Sequence, residues 1–160
     1  MHCIGRLKGR KTMYCTQEIA KGVHWIGGND RRLALFENMF PLPNGVSYNS
    51  YLILDEKTAV VDTVDAAISA LYLSNIEHLL QGRQLDYLVV NHMEPDHCAN
   101  IQELCRRYPN LKIVGNKKTF QLLSQFYHFD SSCRQLEVKE GDTLSLGSHT
   151  LQFYFAPMVH

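Results

Sequence analysis

The chemistry of this chain is concentrated in Val89-Val90-Asn91-His92-Met93-Glu94-Pro95-Asp96-His97. Two imidazoles and two carboxylates, those of His92, Glu94, Asp96 and His97, crowd into one short stretch where an apolar strand ends and a helix begins. Such a mixed nitrogen and oxygen set suits iron, manganese or zinc and suits thiolate-loving metals poorly. Pro95 disfavours helical geometry at Glu94. An extended loop would therefore send His92, Glu94 and Asp96 to one side, and His97 would join them from the first helical turn. A purely structural account makes Asp96 an N-cap, the two histidines ring donors and Glu94 a solvated carboxylate. It accommodates one histidine and one acid more easily than two of each at the carboxyl end of a strand, where α/β proteins gather ligands.

The surrounding elements follow from periodicity. Short apolar segments broken by Gly, Pro, Asn and Asp predict strands at 23–26 and 34–36, and Pro41, Pro43, Asn44 and Gly45 mark a turn. Residues 48–54 and 58–62, joined by Asp55-Glu56-Lys57, read as a β-hairpin. Ala67, Leu71, Ile76, Leu79 and Leu80 recur at helical spacing until Gly82, which predicts a helix over 66–80. A buried strand at 85–90, a helix from Asp96 or His97 to about Tyr108, a strand at 112–115 and a helix at 118–126 complete a βαβα succession. Three more strands are expected at 134–138, 142–146 and 149–155. The fold class is α/β with a partly parallel sheet. The chain stops at His160 just after an apolar strand, so a truncated domain is expected, with apolar sheet surface left for other residues or a partner to cover.

Composition narrows the function classes. Sixteen basic residues balance sixteen acidic ones, which gives no electrostatic case for nucleic acid or membrane surfaces. No apolar run approaches the roughly 20 residues of a membrane-spanning helix. Five cysteines, never spaced C-x-x-C and without an N-x-S/T acceptor in the chain, indicate neither a disulfide scaffold nor a zinc ribbon, so a reducing cytoplasm is the expected setting. The absence of G-x-S-x-G, P-loop and G-x-G-x-x-G patterns removes serine-hydrolase, NTPase and Rossmann readings.

The metal-ligand cluster, H-x-E-x-D-H after an apolar strand, resembles the metallo-β-lactamase superfamily motif with Glu94 in place of its second histidine. With GVHWIGGND at 22–30, GVSYNSYLI at 45–53, VVDTVD at 60–65 and APMVH at 156–160, in that order, the chain resembles the flavodiiron proteins, or A-type flavoproteins, from about Met13 to His160. The resemblance implies an incomplete αββα sandwich over 13–160, with residues 1–12 as a basic extension. It implies that His92, Glu94 and His160 bind one iron and Asp96 and His97 the other. It also implies reduction of dioxygen to water or nitric oxide to nitrous oxide, with electrons passed through FMN on a flavodoxin-like domain that this chain lacks. An electron donor such as rubredoxin or a flavin reductase, and a homodimer or homotetramer, are implied in the same way. The bridging aspartate and last histidine of the family fall beyond His160, so this chain alone is not expected to assemble a competent di-iron site. A carboxylate at position 94 is harder than imidazole and favours redox iron over zinc, although a zinc-dependent hydrolase of the same superfamily and a non-catalytic metal-binding fragment remain the alternatives. Many members carry a histidine after the phenylalanine that corresponds to Phe36, where this chain has Glu37.

Other residues have structural readings. His24 and Trp25 read as core or rim, and His2, His78, His128 and His149 as surface groups. Asp62 and Asp65 read as backbone caps, with a role for Asp62 in orienting the metal loop as the functional version. Cys98 and Cys105, seven apart on one helix, read as small buried hydrophobes, and Tyr48 and Tyr51 as core aromatics.

Overall fold

The computed structural model describes residues 14–36 and 39–156, so the basic amino terminus, Glu37 and His160 lie outside the described residues. The order of elements is β1 (Gln17–Ala20), β2 (Val23–Trp25), β3 (Gly28–Asp30), β4 (Leu35–Phe36), β5 (Phe40–Pro41), β6 (Val46–Tyr48), β7 (Tyr51–Leu54) and β8 (Thr58–Val61). A 3-10 turn at Ala66–Ile68 leads into α1 (Ser69–Leu80). Then come β9 (Tyr87–Val89), α2 (Pro95–Cys98), α3 (Ile101–Arg107), β10 (Lys112–Gly115), α4 (Lys117–Phe126), β11 (Gln135–Glu137), β12 (Thr143–Ser145) and β13 (Thr150–Gln152).

Seven strands form one sheet in the order β1-β2-β7-β8-β9-β10-β11. The pairs from β1 to β8 are antiparallel. Those from β8 to β11 are parallel, because a helix returns the chain to the same end after each strand. Side chains alternate across this sheet. Leu52, Val60, Leu88 and Ile113 pack with Tyr72, Ile76, Leu104, Phe120 and Leu123 of the helices. Their neighbours Ile53, Ala59, Val89 and Val114 face away and pack with Leu144, Leu146, Leu151 and Phe153 in and around the β12–β13 hairpin. The result is a helical layer, a mixed sheet and the beginning of a second sheet. No helix among the described residues is long and apolar enough to cross a membrane.

Three expectations change. The strand expected over 48–54 is two strands: β6 pairs with β3, and only β7 enters the main hairpin. Asn49 accepts a bond from Trp25 Nε1, and the Ser50 carbonyl accepts from the Ile26 amide, which turns the chain between the two sheets. The helix expected from Asp96 to Tyr108 is broken at Ala99–Asn100, where the Asn100 amide donates to Thr63 Oγ1 in place of a helical carbonyl. Strands β1, β3 and β5 lack the apolar alternation that would have revealed them: β1 and β5 form short hairpins with their chain neighbours β2 and β4, and β3 pairs with β6 further along.

Candidate metal centre

β8 and β9 are parallel neighbours, with Val61 paired to Val89, so their carboxyl ends open side by side. This register places Asp62 next to the loop that carries His92 and Glu94. Asp62 Oδ1 accepts from the Asn91 backbone amide at 2.7 Å and Oδ2 from Asn91 Nδ2 at 3.2 Å. Asp62 itself adopts φ +55°, a left-handed conformation that aspartate tolerates better than most residues. Its carbonyl accepts from Ser50 Oγ at 2.9 Å and Tyr72 Oη at 3.1 Å, which fixes that conformation from inside the core. Burial pushes the Asp62 carboxyl up from its ordinary value, against the opposing pull of the Asn91 donors. Asp62 thus holds the loop that carries His92 and Glu94, whereas Asp65 caps the 3-10 turn through the Ala67 amide at 2.8 Å.

The second half of the cluster is held by a separate clamp. The backbone amide and hydroxyl of Thr63 both donate to the His97 carbonyl, at 2.7 and 2.9 Å. Asn100 Nδ2 donates to the Val64 carbonyl at 2.7 Å. Glu94 is extended, with φ −73° and ψ 153°, and Pro95 opens α2 as its first residue. Asp96 lies inside the first turn and is not the N-cap, so its carboxylate is available to the loop. Thr63 and Asn100 were not distinguished in the sequence: nothing local marks a threonine after VVD, or an asparagine three residues after a histidine, as contacts.

Within this frame the four side chains form two nitrogen–oxygen pairs. His92 Nε2 lies 3.2 Å from Glu94 Oε2, and His97 Nε2 lies 3.4 Å from Asp96 Oδ2. The two rings meet edge to face with centroids 5.2 Å apart. Donors bound to one ion at about 2.0–2.2 Å stand roughly 3 Å from each other, so each pair has the bite of two ligands on a common metal. His97 Nδ1, on the opposite side of the ring from that pair, is buried and has no hydrogen-bond partner among the described residues. These residues fit a metal. Among the described residues, no three His, Cys, Asp or Glu side chains converge on one point. His160 lies outside the described residues.

Residues 46–160 match the family described as ODP family beta lactamase. The chain belongs to this family, the metallo-β-lactamase-like part of the flavodiiron proteins. It is 37% identical over 146 residues to Diflavin flavoprotein A 1 of Synechocystis sp., covering 91% of this chain and 25% of that protein. It is 35% identical over 144 residues to the Nitric oxide reductase of Moorella thermoacetica, covering 89% of this chain and 36% of that protein. The solved rubredoxin oxygen:oxidoreductase of Desulfovibrio gigas superposes with a TM-score of 0.83 at 33% identity, over 91% of this chain and 36% of that one. The flavodiiron chain thus spans about a quarter to a third of the relatives it matches. Its fold is the incomplete metallo-β-lactamase-like sandwich that the resemblance implied.

The remaining candidates sort by contact. Cys98 and Cys105 are buried as expected, though on α2 and α3 and not on one helix. His78 stacks on Tyr14 with centroids 3.8 Å apart. His149 is not a simple surface group: Nδ1 lies 2.6 Å from the Asp55 carboxylate and Nε2 3.0 Å from the Lys21 carbonyl. It therefore fastens the β12–β13 hairpin to the turn after β7, a contact between residues 94 apart in sequence that no local pattern signals. Tyr48 is buried in the core, and its surroundings bear on substrate access below.

Proposed function

We propose that the complete flavodiiron protein is an oxidoreductase reducing dioxygen to water, nitric oxide to nitrous oxide, or both. The observation that carries this reading is the pair of nitrogen–oxygen bites, His92 with Glu94 and Asp96 with His97, at the mouth of two parallel strands. His92, Glu94 and His160 would hold one iron, and Asp96 and His97 the other. Ferrous ions held there would supply the electrons for reducing a diatomic substrate. The protein's own residues prepare that site. Asp62 fixes the loop through Asn91, Thr63 and Asn100 fix α2, and Glu94 contributes an anionic oxygen suited to a metal that changes valence. FMN on a following domain would refill the site, with electrons from a rubredoxin-like protein or a flavin reductase, in a homodimer or homotetramer. The names of the Moorella and Desulfovibrio proteins support both the substrates and a rubredoxin donor.

Metal analysis after anaerobic purification of the full-length protein tests the reading. Close to two irons per chain, with reductant-driven consumption of dioxygen or nitric oxide that His92→Ala abolishes, is the expected result. Zinc in the site together with hydrolytic activity would overturn it in favour of a hydrolase of the same superfamily.

A further inference from the structure

A cavity of about 400 Å³ opens beside the ligand loop, lined by Leu33, Leu35, Phe36, Tyr48, Glu94 and Asp96 among others. Leu33, Leu35 and Phe36 come from the segment around β4; of its three carboxylates, Asp65 caps the 3-10 turn and Glu94 and Asp96 are two of the five proposed ligands. A wall of this kind admits a small uncharged molecule and repels an anion. Tyr48 is the polar donor in this lining that is not an acid. It is only 4% exposed, yet its hydroxyl makes no hydrogen bond among the described residues. The other buried tyrosine among the described residues, Tyr72, donates its hydroxyl to the Asp62 carbonyl. The hydroxyl is not fully enclosed, and Tyr48 lines the cavity, so the ring is held in the core while the donor stays open to a ligand.

The position of Tyr48 is tightly fixed. β6 pairs with β3 so that Tyr48 faces Gly28 across the ladder. A side chain at the neighbouring Gly27 would place its Cβ 1.9 Å from the Tyr48 carbonyl, so only glycine lets this strand approach so closely. The hydroxyl also lies in the field of Asp65, Asp30 and Asp96, and burial together with those carboxylates pushes the phenol up to about 12, which keeps it a neutral donor.

We infer that Tyr48 is a substrate-contacting residue whose hydroxyl donates a hydrogen bond to an uncharged diatomic gas held in the cavity beside Glu94 and Asp96. This inference rests on the redox reading of the metal centre. The bond would select for a molecule small enough to pass Leu33, Leu35 and Phe36 and carrying an acceptor atom, and it would add to affinity more than to the chemical step.

The test uses the full-length, iron-loaded protein with nitric oxide as the probe. In Tyr48→Phe, the N–O stretching frequency of nitric oxide taken up by the reduced protein should rise. The KM for nitric oxide should increase about two- to tenfold with a smaller change in kcat, the size of one lost hydrogen bond. Placing 3-fluorotyrosine at position 48 keeps the shape and strengthens the donor, so it should move the frequency the other way even if the phenylalanine variant does not fold. An unchanged frequency in a protein that retains its iron overturns the role of Tyr48 while leaving the redox reading intact. A wild-type protein that binds no iron overturns both.

Discussion

Asp62 carries two tasks at once: its carbonyl is anchored by Ser50 and Tyr72, and its carboxylate holds both donors of Asn91. Asp62→Asn keeps the size and the tolerance for positive φ but turns an amide NH₂ toward a donor of Asn91. Metal affinity should fall about 10- to 100-fold with the fold retained, measured by competition with a chelator. An unchanged affinity would remove Asp62 from the metal-loop account. Gly27 illustrates a purely steric demand, since a Cβ there meets the Tyr48 carbonyl at 1.9 Å. Gly27→Ala should destabilise the protein by about 2–3 kcal/mol or more, read from the denaturant midpoint, because backbone cannot step aside as a flexible side chain can.

At the scale of elements, stability and site geometry share the same bonds. Thr63 Oγ1 links the end of β8 to the carbonyl of His97 and to the amide of Asn100, at 2.9 and 3.2 Å. Thr63→Val conserves volume but leaves the buried Asn100 amide unpaired, and should cost about 1–3 kcal/mol in urea unfolding while loosening α2. Asp55 joins the β7–β8 turn to the β12–β13 hairpin through the amide and ring of His149 and the hydroxyl of Ser148. The His149 ring beside it holds the Asp55 carboxyl well below its ordinary 3.8. The stability it contributes is therefore complete above that ordinary value and is lost as pH falls below it toward the depressed one. Asp55→Asn should lower the thermal midpoint near neutrality by about 5–10 °C, and the gap from wild type should close as the pH drops below about 3.8. A gap that persists undiminished in acid would show that the Asp55 carboxylate is not its source.

For the whole molecule, the decisive feature is an unfinished second layer. The β12–β13 hairpin covers Ile53, Ala59, Val89 and Val114 on the far face of the main sheet. Beyond it, Tyr154 and Phe155 stand 67% and 47% exposed, and a second cavity lined by Val89, Val138, Phe153 and Phe155 runs between hairpin and sheet. Exposed apolar residues in such continuity bind hydrophobic dyes and promote association. This 160-residue chain should therefore show stronger dye fluorescence and more concentration-dependent self-association in sedimentation than the full-length protein, and Phe155→Glu should reduce both.

The local pattern alone brought out the candidate donor cluster, since H-x-E-x-D-H gathers two imidazoles and two carboxylates by residue type and Pro95 keeps Glu94 extended. It also determined the βαβα run from Thr58 to Phe126, where burial on both faces of the parallel strands and a strong helical period leave little ambiguity. The short strands β1, β3 and β5, the break between α2 and α3, the Asp55–His149 fastening and the unpartnered Tyr48 hydroxyl were settled only by the tertiary structure. β1 and β5 are too short and exposed to carry a period, while β3, the helix break and the Asp55–His149 contact depend on partners far away in the chain, and hydrogen bonds between distant segments leave no period in either one. The roles of Asp62, Thr63 and Asn100 belong with them: these residue types are unremarkable where they stand, and the parallel register of β8 and β9 brings them to the metal loop.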